Sequence, residues 1–164
     1  MKIISIDPGY ERIGIAILEK ETSSKKEVLL YSECFQTCAK DCFEDRLKEI
    51  GQELEKIIKK YKPKVLAIES LFFNSNQKTA LMVSEAKGVM KYIALVNDLK
   101  VFEYTPLQIK IAITGYGRST KDQILSMLPH LINIEKEVKY DDEYDAIAIG
   151  LTYFACNPNE IILN

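Results

Sequence analysis

A single histidine and four cysteines, none of them in a C-x-x-C pair, leave this chain without the usual ingredients of a zinc site. His130 stands far in sequence from Cys34, Cys38, Cys42 and Cys156, so the thiols are expected to be free and mostly buried, as in a reducing compartment. No apolar run reaches the length needed to cross a bilayer, and an apolar strand begins almost at Met1. Those two absences predict no signal peptide, no membrane association and a cytoplasmic address. Low-complexity tracts and internal repeats are lacking, and with 47% hydrophobic and 28% charged residues little of the chain is expected to be disordered. An excess of basic residues is lacking too: 22 Lys and Arg stand against 24 Asp and Glu, a formal net charge of −2. That balance is only a mild argument against a nucleic-acid partner. Averaged charge hides local patches, and acids gathered around bound cations do not repel DNA.

What is present reads as one α/β domain over residues 1–164, long enough to bury a core without disulfides or a structural metal. Ile3, Ile4 and Ile6 before Asp7 make a nearly continuous apolar run, the pattern of a strand buried on both faces. Residues 12–19 alternate around Ile13, Ile15 and Ile17, and the short link through Pro8, Gly9 and Tyr10 joins the two runs as a hairpin. "VLLYSECF" supplies a third strand. Asp41 and Glu44 resemble a capping box, after which Phe43, Leu47, Ile50, Leu54, Ile57 and Ile58 fall on one helical face that Pro63 ends. "KVLAIES" predicts a fourth strand, residues 77–97 a long apolar helix, "VFEY" a fifth strand, and Thr105-Pro106 the start of a short helix. Ser119 is expected to cap a helix running toward Pro129, with His130 closing it, and a final helix begins near Asp141. Three meandering strands followed by two helix-linked strands predict a mixed sheet, three strands antiparallel and then two parallel, flanked by helices.

The acids now acquire places. Asp7 and Glu69 each end an apolar strand, and if those strands are parallel neighbours both carboxylates meet at the carboxyl edge of the sheet. Asp142 and Asp145, three apart on the last helix, share one face of it. Carboxylates converging without histidine or cysteine make a hard-oxygen site suited to Mg²⁺ or Mn²⁺. Two divalent ions would balance the four acids and leave room to grip a phosphate, as in two-metal phosphodiester hydrolysis.

Three stretches, "IDPG" at 6–9, "AIES" at 67–70 and "DDEYDAIAIG" at 141–150, resemble in order and separation the signatures of the RuvC family, bacterial crossover junction endodeoxyribonucleases of the RNase H-like superfamily. The likeness runs from Ile3 to about Phe154; "DPG" alone is a weak signal, and the set is a specific one. The resemblance implies an RNase H-like fold, a homodimer, and paired metal-dependent nicks across a four-way DNA junction in recombination and repair. It also implies two Mg²⁺ per active site, replaceable by Mn²⁺, held by Asp7, Glu69, Asp142 and Asp145; some members carry histidine at the position of Asp142. Phe72 in "ESLFFN" corresponds to an aromatic that stacks on an unpaired base, a contact whose loss to alanine is worth roughly 1–3 kcal/mol. Lys110 in "LQIKIAI" and Lys121 in "GRSTKDQ" correspond to lysines near the scissile phosphate, where a cation offsets developing charge. Arg118, in the same loop as Lys121, is a candidate for a neighbouring phosphate. Contact with the branch-migration proteins RuvA and RuvB is implied in the same way.

Each feature taken singly has a plainer reading. Asp7-Pro8-Gly9 suits an ordinary turn, Glu69 a solvated strand end, and Asp142 with Asp145 the positive end of a helix. Phe72 and Phe73 read equally as core, Lys78, Lys87 and Lys91 as the wet face of the long helix, and "GYGRSTK" lacks the G-K-[ST] order of a P-loop. Two other functional classes share the expected sheet. A sugar-kinase-like or actin-like ATPase would need a second domain to close over its nucleotide, and this chain is short for one. A non-catalytic DNA-binding module would leave the converging acids unexplained, since they weaken DNA binding unless metals are present.

Overall fold

The computed structural model describes residues 1–21, 26–71 and 77–158, with backbone only at residues 77 and 78. Its strands are β1 (Lys2–Asp7), β2 (Arg12–Glu19), β3 (Val28–Gln36), β4 (Val65–Glu69) and β5 (Lys100–Tyr104). They form one sheet in the order β3-β2-β1-β4-β5. The first three strands pair antiparallel, and β4 pairs parallel with both β1 and β5. Helix α1 (Phe43–Tyr61) links β3 to β4 and α2 (Gln77–Val96) links β4 to β5; α3 (Pro106–Thr114), α4 (Lys121–Leu131) and α5 (Asp141–Cys156) follow. This is the expected mixed sheet flanked by helices.

The continuous apolar runs are explained by a sheet covered on both faces. On one face Ile4, Ile6, Ile13, Ile15, Ile17, Leu66 and Ile68 pack against Ile50, Leu54, Ile57 and Ile58 of α1 and Ala86, Met90 and Ala94 of α2. On the other, Ile3, Ala16, Leu18, Val65, Ala67 and Tyr104 pack against α3, α4 and α5. Each fully buried Ile or Leu contributes roughly 1.5–3 kcal/mol relative to exposure, so the two layers hold the sheet from both sides. The α5 face carries the smaller residues Ser5, Ala16 and Ala67, and α5 lies close to the sheet there. Gly14 and Gly150 mark the tightest approach: a Cβ on Gly14 would stand 1.8 Å from the Asp142 carbonyl oxygen, and one on Gly150 would stand 2.5 Å from Leu18 Cδ1.

Alternation along the strands then decides where the acids point, since successive residues face opposite sides. Asp7 follows Ile3 and Ser5 onto the α5 face, and Glu69 follows Val65 and Ala67 onto the same face. The β1–β4 pairing ends at Ile6 opposite Ile68, so Asp7 and Glu69 come next on adjacent strands. Asp7 is in turn opposite Gly14, and Gly14 is opposite Cys34.

Local details depart from expectation at four places. Helix α1 is capped by Cys42 with no side-chain cap bond, so Asp41 and Glu44 form no capping box. The α4 cap is Thr120, whose side chain accepts from the Gln123 backbone while Gln123 reaches back. Ser119, by contrast, is buried and donates to the Tyr116 carbonyl at 2.6 Å, closing the turn before the helix. The cysteines are free, but Cys38, Cys42 and Cys156 are exposed and Cys34 half-buried. Cys38 and Cys42 lie in the β3–α1 link and Cys156 ends α5, outside both packed layers. Lys87 is buried, not solvated: its ammonium donates to Glu103 at 2.6 Å, and Lys91 holds the other oxygen of the same carboxylate, also at 2.6 Å. Glu103 follows Val101 onto the α2 face of β5, which draws both lysines inward. As expected, Thr105 caps α3 in a reciprocal box with Gln108, Pro63 follows the left-handed Lys62 that ends α1, and His130 lies in the last turn of α4. Phe72 and Phe73, and the side chain of Lys78, lie outside the described residues.

Candidate active site

At the carboxyl edge of β1 and β4, the first turn of α5 descends on Asp7 and Glu69. The Asp7 carboxyl is held well above its ordinary pKa, first by burial and then by the negative charges of Asp145, Glu69 and Asp142. Glu69 is pushed up to about 6 by burial and by Asp145, with Lys87 and Lys121 acting the other way. Burial also raises Asp145, against the pull of Lys121. Burial and mutual repulsion of this kind favour added positive charge beside these carboxyls.

Two cations already touch the cluster. Lys121, at the start of α4, donates to Asp145 at 3.0 Å and lies 3.3 Å from Asp141. Burial works against its ammonium, yet the hydrogen bonds and charges of Asp145 and Asp141 outweigh it and raise the pKa. On the β2 side, Arg12 Nε lies 3.5 Å from Asp142 Oδ2, the oxygen to which the Cys34 thiol also donates, at 3.8 Å. Burial and then the Asp142 charge push the Cys34 thiol up to about 11, so it remains protonated and a poor metal ligand at neutral pH.

Beside the acids a cleft of about 210 Å³ is lined by Glu69, Asp145, Lys110 and Lys121, with Pro106, Ile109 and Ile124 among its apolar walls. The fold therefore brings together Asp7, Glu69, Asp142, Asp145, Lys110 and Lys121. Arg118 is exposed in the α3–α4 loop and is not part of the cleft lining. Phe72 lies outside the described residues. Sequence reading missed Arg12, Cys34 and Asp141, whose roles arise from neighbours distant in the chain and leave no local motif.

The donor set suits a divalent cation: it is carboxylate oxygen, crowded enough that its members repel one another. Among the described residues no three histidine, cysteine, aspartate or glutamate side chains are already gathered to hold an ion. Asp145 and Asp142 are instead engaged by Lys121 and Arg12.

A mixed sheet in this strand order, with acids ending two adjacent parallel strands and two more acids on a helix crossing the same edge, has the architecture of the RNase H-like class. Comparison with known proteins makes the assignment specific. The family model described as crossover junction endodeoxyribonuclease RuvC matches residues 3–153. The RuvC of Alkaliphilus metalliredigens is 41% identical over 153 residues, 93% of this chain and 92% of that protein. That of Halothermothrix orenii is 42% identical over 164 residues, 100% of this chain and 96% of that protein. The structure of Thermus thermophilus RuvC in complex with Holliday junction substrate shares the fold, with a TM-score of 0.89 at 24% identity over 98% of this chain and 97% of that one. The chain belongs to the RuvC family of crossover junction endodeoxyribonucleases, metal-dependent enzymes of DNA recombination and repair. The ATPase and non-catalytic readings are set aside accordingly.

Proposed function

We propose that this chain, a single domain over residues 1–164, resolves four-way (Holliday) DNA junctions by paired, symmetric phosphodiester hydrolysis. The observation that carries the reading is the meeting of Asp7 and Glu69 with Asp145 and Asp142, beside a cleft shared by Lys110 and Lys121. Asp7, Glu69, Asp142 and Asp145 would hold two Mg²⁺ per site, with Mn²⁺ able to substitute. Bound there, the ions would activate water and offset charge on the phosphate. The chain's own groups do the rest. Asp7 and Glu69, on adjacent rigid strands, fix one wall of the site. Lys121 and Lys110 present cations to the cleft in which the scissile phosphate would lie, where they stabilise developing negative charge. Arg118 contacts the backbone further out, and Phe72 stacks on a base unpaired at the exchange point.

Symmetric cutting requires two copies of the site, hence a homodimer. Helix α2 offers a surface for one, with Leu81, Tyr92, Leu95 and Val96 exposed along it. No helix among the described residues is long and apolar enough to cross a membrane. A cytoplasmic location and cooperation with RuvA and RuvB follow from the proposed substrate and the family.

The test is incubation of the protein with a synthetic four-way junction and Mg²⁺, scoring two symmetric, ligatable nicks. Asp7→Asn should abolish them while leaving junction binding intact, because it removes charge from the metal site and adds no repulsion toward phosphate. Absence of cutting by the unmodified protein with either Mg²⁺ or Mn²⁺ would defeat the proposal.

A further inference from the structure

The chain carries a net negative charge, yet its proposed substrate is a polyanion, so its phosphate contacts must be concentrated. Lys110 and Lys121 account for the β4 side of the acids. A second basic group lies on the β2 side. Arg12 opens β2 two residues before Gly14, the residue opposite Asp7. It shares a strand face with Gly14 and so projects toward the α5 side, at the rim of the site. Its guanidinium is 5.7 Å from the Tyr140 ring centroid, and the Lys139 ammonium is 5.3 Å from the same ring. Tyr140 immediately precedes α5 and the acids it bears. Both cations are exposed, the Arg12 side chain at 54%.

We propose that Arg12 and Lys139, gathered on Tyr140, form a second phosphate-contact strip for junction DNA on the β2 side of the site, and that Arg12 is held in reserve by Asp142 until the acids take up metal. The inference rests on the nuclease reading for its substrate. The chemistry supports both parts. A guanidinium steadied against an aromatic face keeps its fork of donors pre-ordered for a phosphate. The Arg12–Asp142 contact, at 3.5 Å with the arginine side chain 54% and the aspartate side chain 20% exposed, is what must be released before Arg12 can turn to a phosphate. While Asp142 is unmetallated, Arg12 is its cationic partner. Once that carboxylate is taken up by a divalent ion, Arg12 loses its claim on it and becomes available to DNA. Lys139 contacts none of the acids and is available throughout.

The experiment measures binding to an intact four-way junction between 50 and 200 mM salt, in EDTA and in Ca²⁺, with samples checked for nicks. The proteins are the unmodified chain, Arg12→Gln, Arg12→Lys and Lys139→Gln. Each lost phosphate contact lowers the slope of log affinity against log salt by about 0.9, which over that fourfold range is about 3.5-fold in affinity. Lys139→Gln should show this reduction in both media. Arg12→Gln should show it in Ca²⁺ but not in EDTA, and Arg12→Lys should restore it. Arg12→Gln should also bind Mn²⁺ more tightly than the unmodified protein in the absence of DNA, because its competitor for Asp142 is gone. Unchanged slopes for both Gln variants in Ca²⁺ would overturn the strip. Equal loss for Arg12→Gln in the two media, or unaltered Mn²⁺ affinity, would overturn the reserve. Failure of the unmodified protein to nick the junction with Mg²⁺ would count against the nuclease reading alone, since the slopes report binding.

Discussion

Replacing Glu69 by glutamine removes a buried acid whose charged form the folded protein disfavours, with a direct consequence for stability. In the folded chain its pKa is about 6 against an ordinary 4.5, chiefly because burial and Asp145 disfavour the charged form. The folded state therefore binds the proton more tightly than the unfolded state. For an acid shifted in this direction, stability is fully present below pH 4.5 and is lost as pH rises through about 6. The rise from 4.5 to about 6 corresponds to about 2 kcal/mol of destabilisation once both states are ionised. At pH 5, where the folded group is mostly protonated, the same linkage leaves under about 1 kcal/mol. Glu69→Gln should thus stabilise the metal-free protein by about 2 kcal/mol at pH 8, or roughly 4–8 °C in Tm for a chain of this size, and by less than half of that at pH 5. Saturating Mg²⁺ should shrink the gain at pH 8, because the cation relieves the repulsion in the unmodified protein only. The assay is paired thermal melts at the two pH values, with and without Mg²⁺, alongside junction cutting, which the variant should lack. A variant less stable than the unmodified protein at pH 8, or a gain equal at both pH values, would refute the claim that Glu69 sits in a repulsive, desolvated cluster.

Gly14→Ala should cost about 2–4 kcal/mol and depress cutting, because its Cβ would collide with the Asp142 carbonyl and push the start of α5 away from Asp7; chemical denaturation and a cleavage assay check both parts. Glu103→Ala should destabilise by about 2–3 kcal/mol by stranding the buried Lys87 ammonium, whereas Lys91→Ala, on the exposed arm of the same pair, should cost under about 1 kcal/mol. Lys110→Ala and Lys121→Ala should slow cutting at saturating Mg²⁺ with little change in melting temperature, and a stability loss matching the activity loss would point to a packing role instead. Phe72→Ala should slow cutting of intact junctions more than of junctions already unpaired at the exchange point, since base opening costs a few kcal/mol that stacking offsets. Equal slowing on the two substrates would defeat the stacking role.

Much of this protein was legible from local pattern. Period-two alternation assigns Ile3, Ser5 and Asp7 to one side of β1 and Val65, Ala67 and Glu69 to one side of β4, so two strands recognised from apolar runs carry their acids to a common face. The three-residue spacing of Asp142 and Asp145 is likewise a property of the helix alone. Even the correct α4 cap was present as Thr120 with Gln123 three residues on, a pair of the same form as Thr105 with Gln108, although Ser119 competes for the role on residue type. Polar and ionic partnerships were not legible. Cys34 and Asp142 are 108 residues apart, Lys121 and Asp145 are 24 apart, and Lys87 meets Glu103 across 16. No periodicity relates such positions. A lysine on an amphipathic helix looks solvated until the packing of α2 on β5 brings a carboxylate to it, and an arginine opening a strand looks ordinary until α5 sets Asp142 beside it. Short-range sterics and hydrophobic burial act along the chain and can be read there. Charge pairing acts through space, over distances that only the folded arrangement of the sheet and α5 establishes.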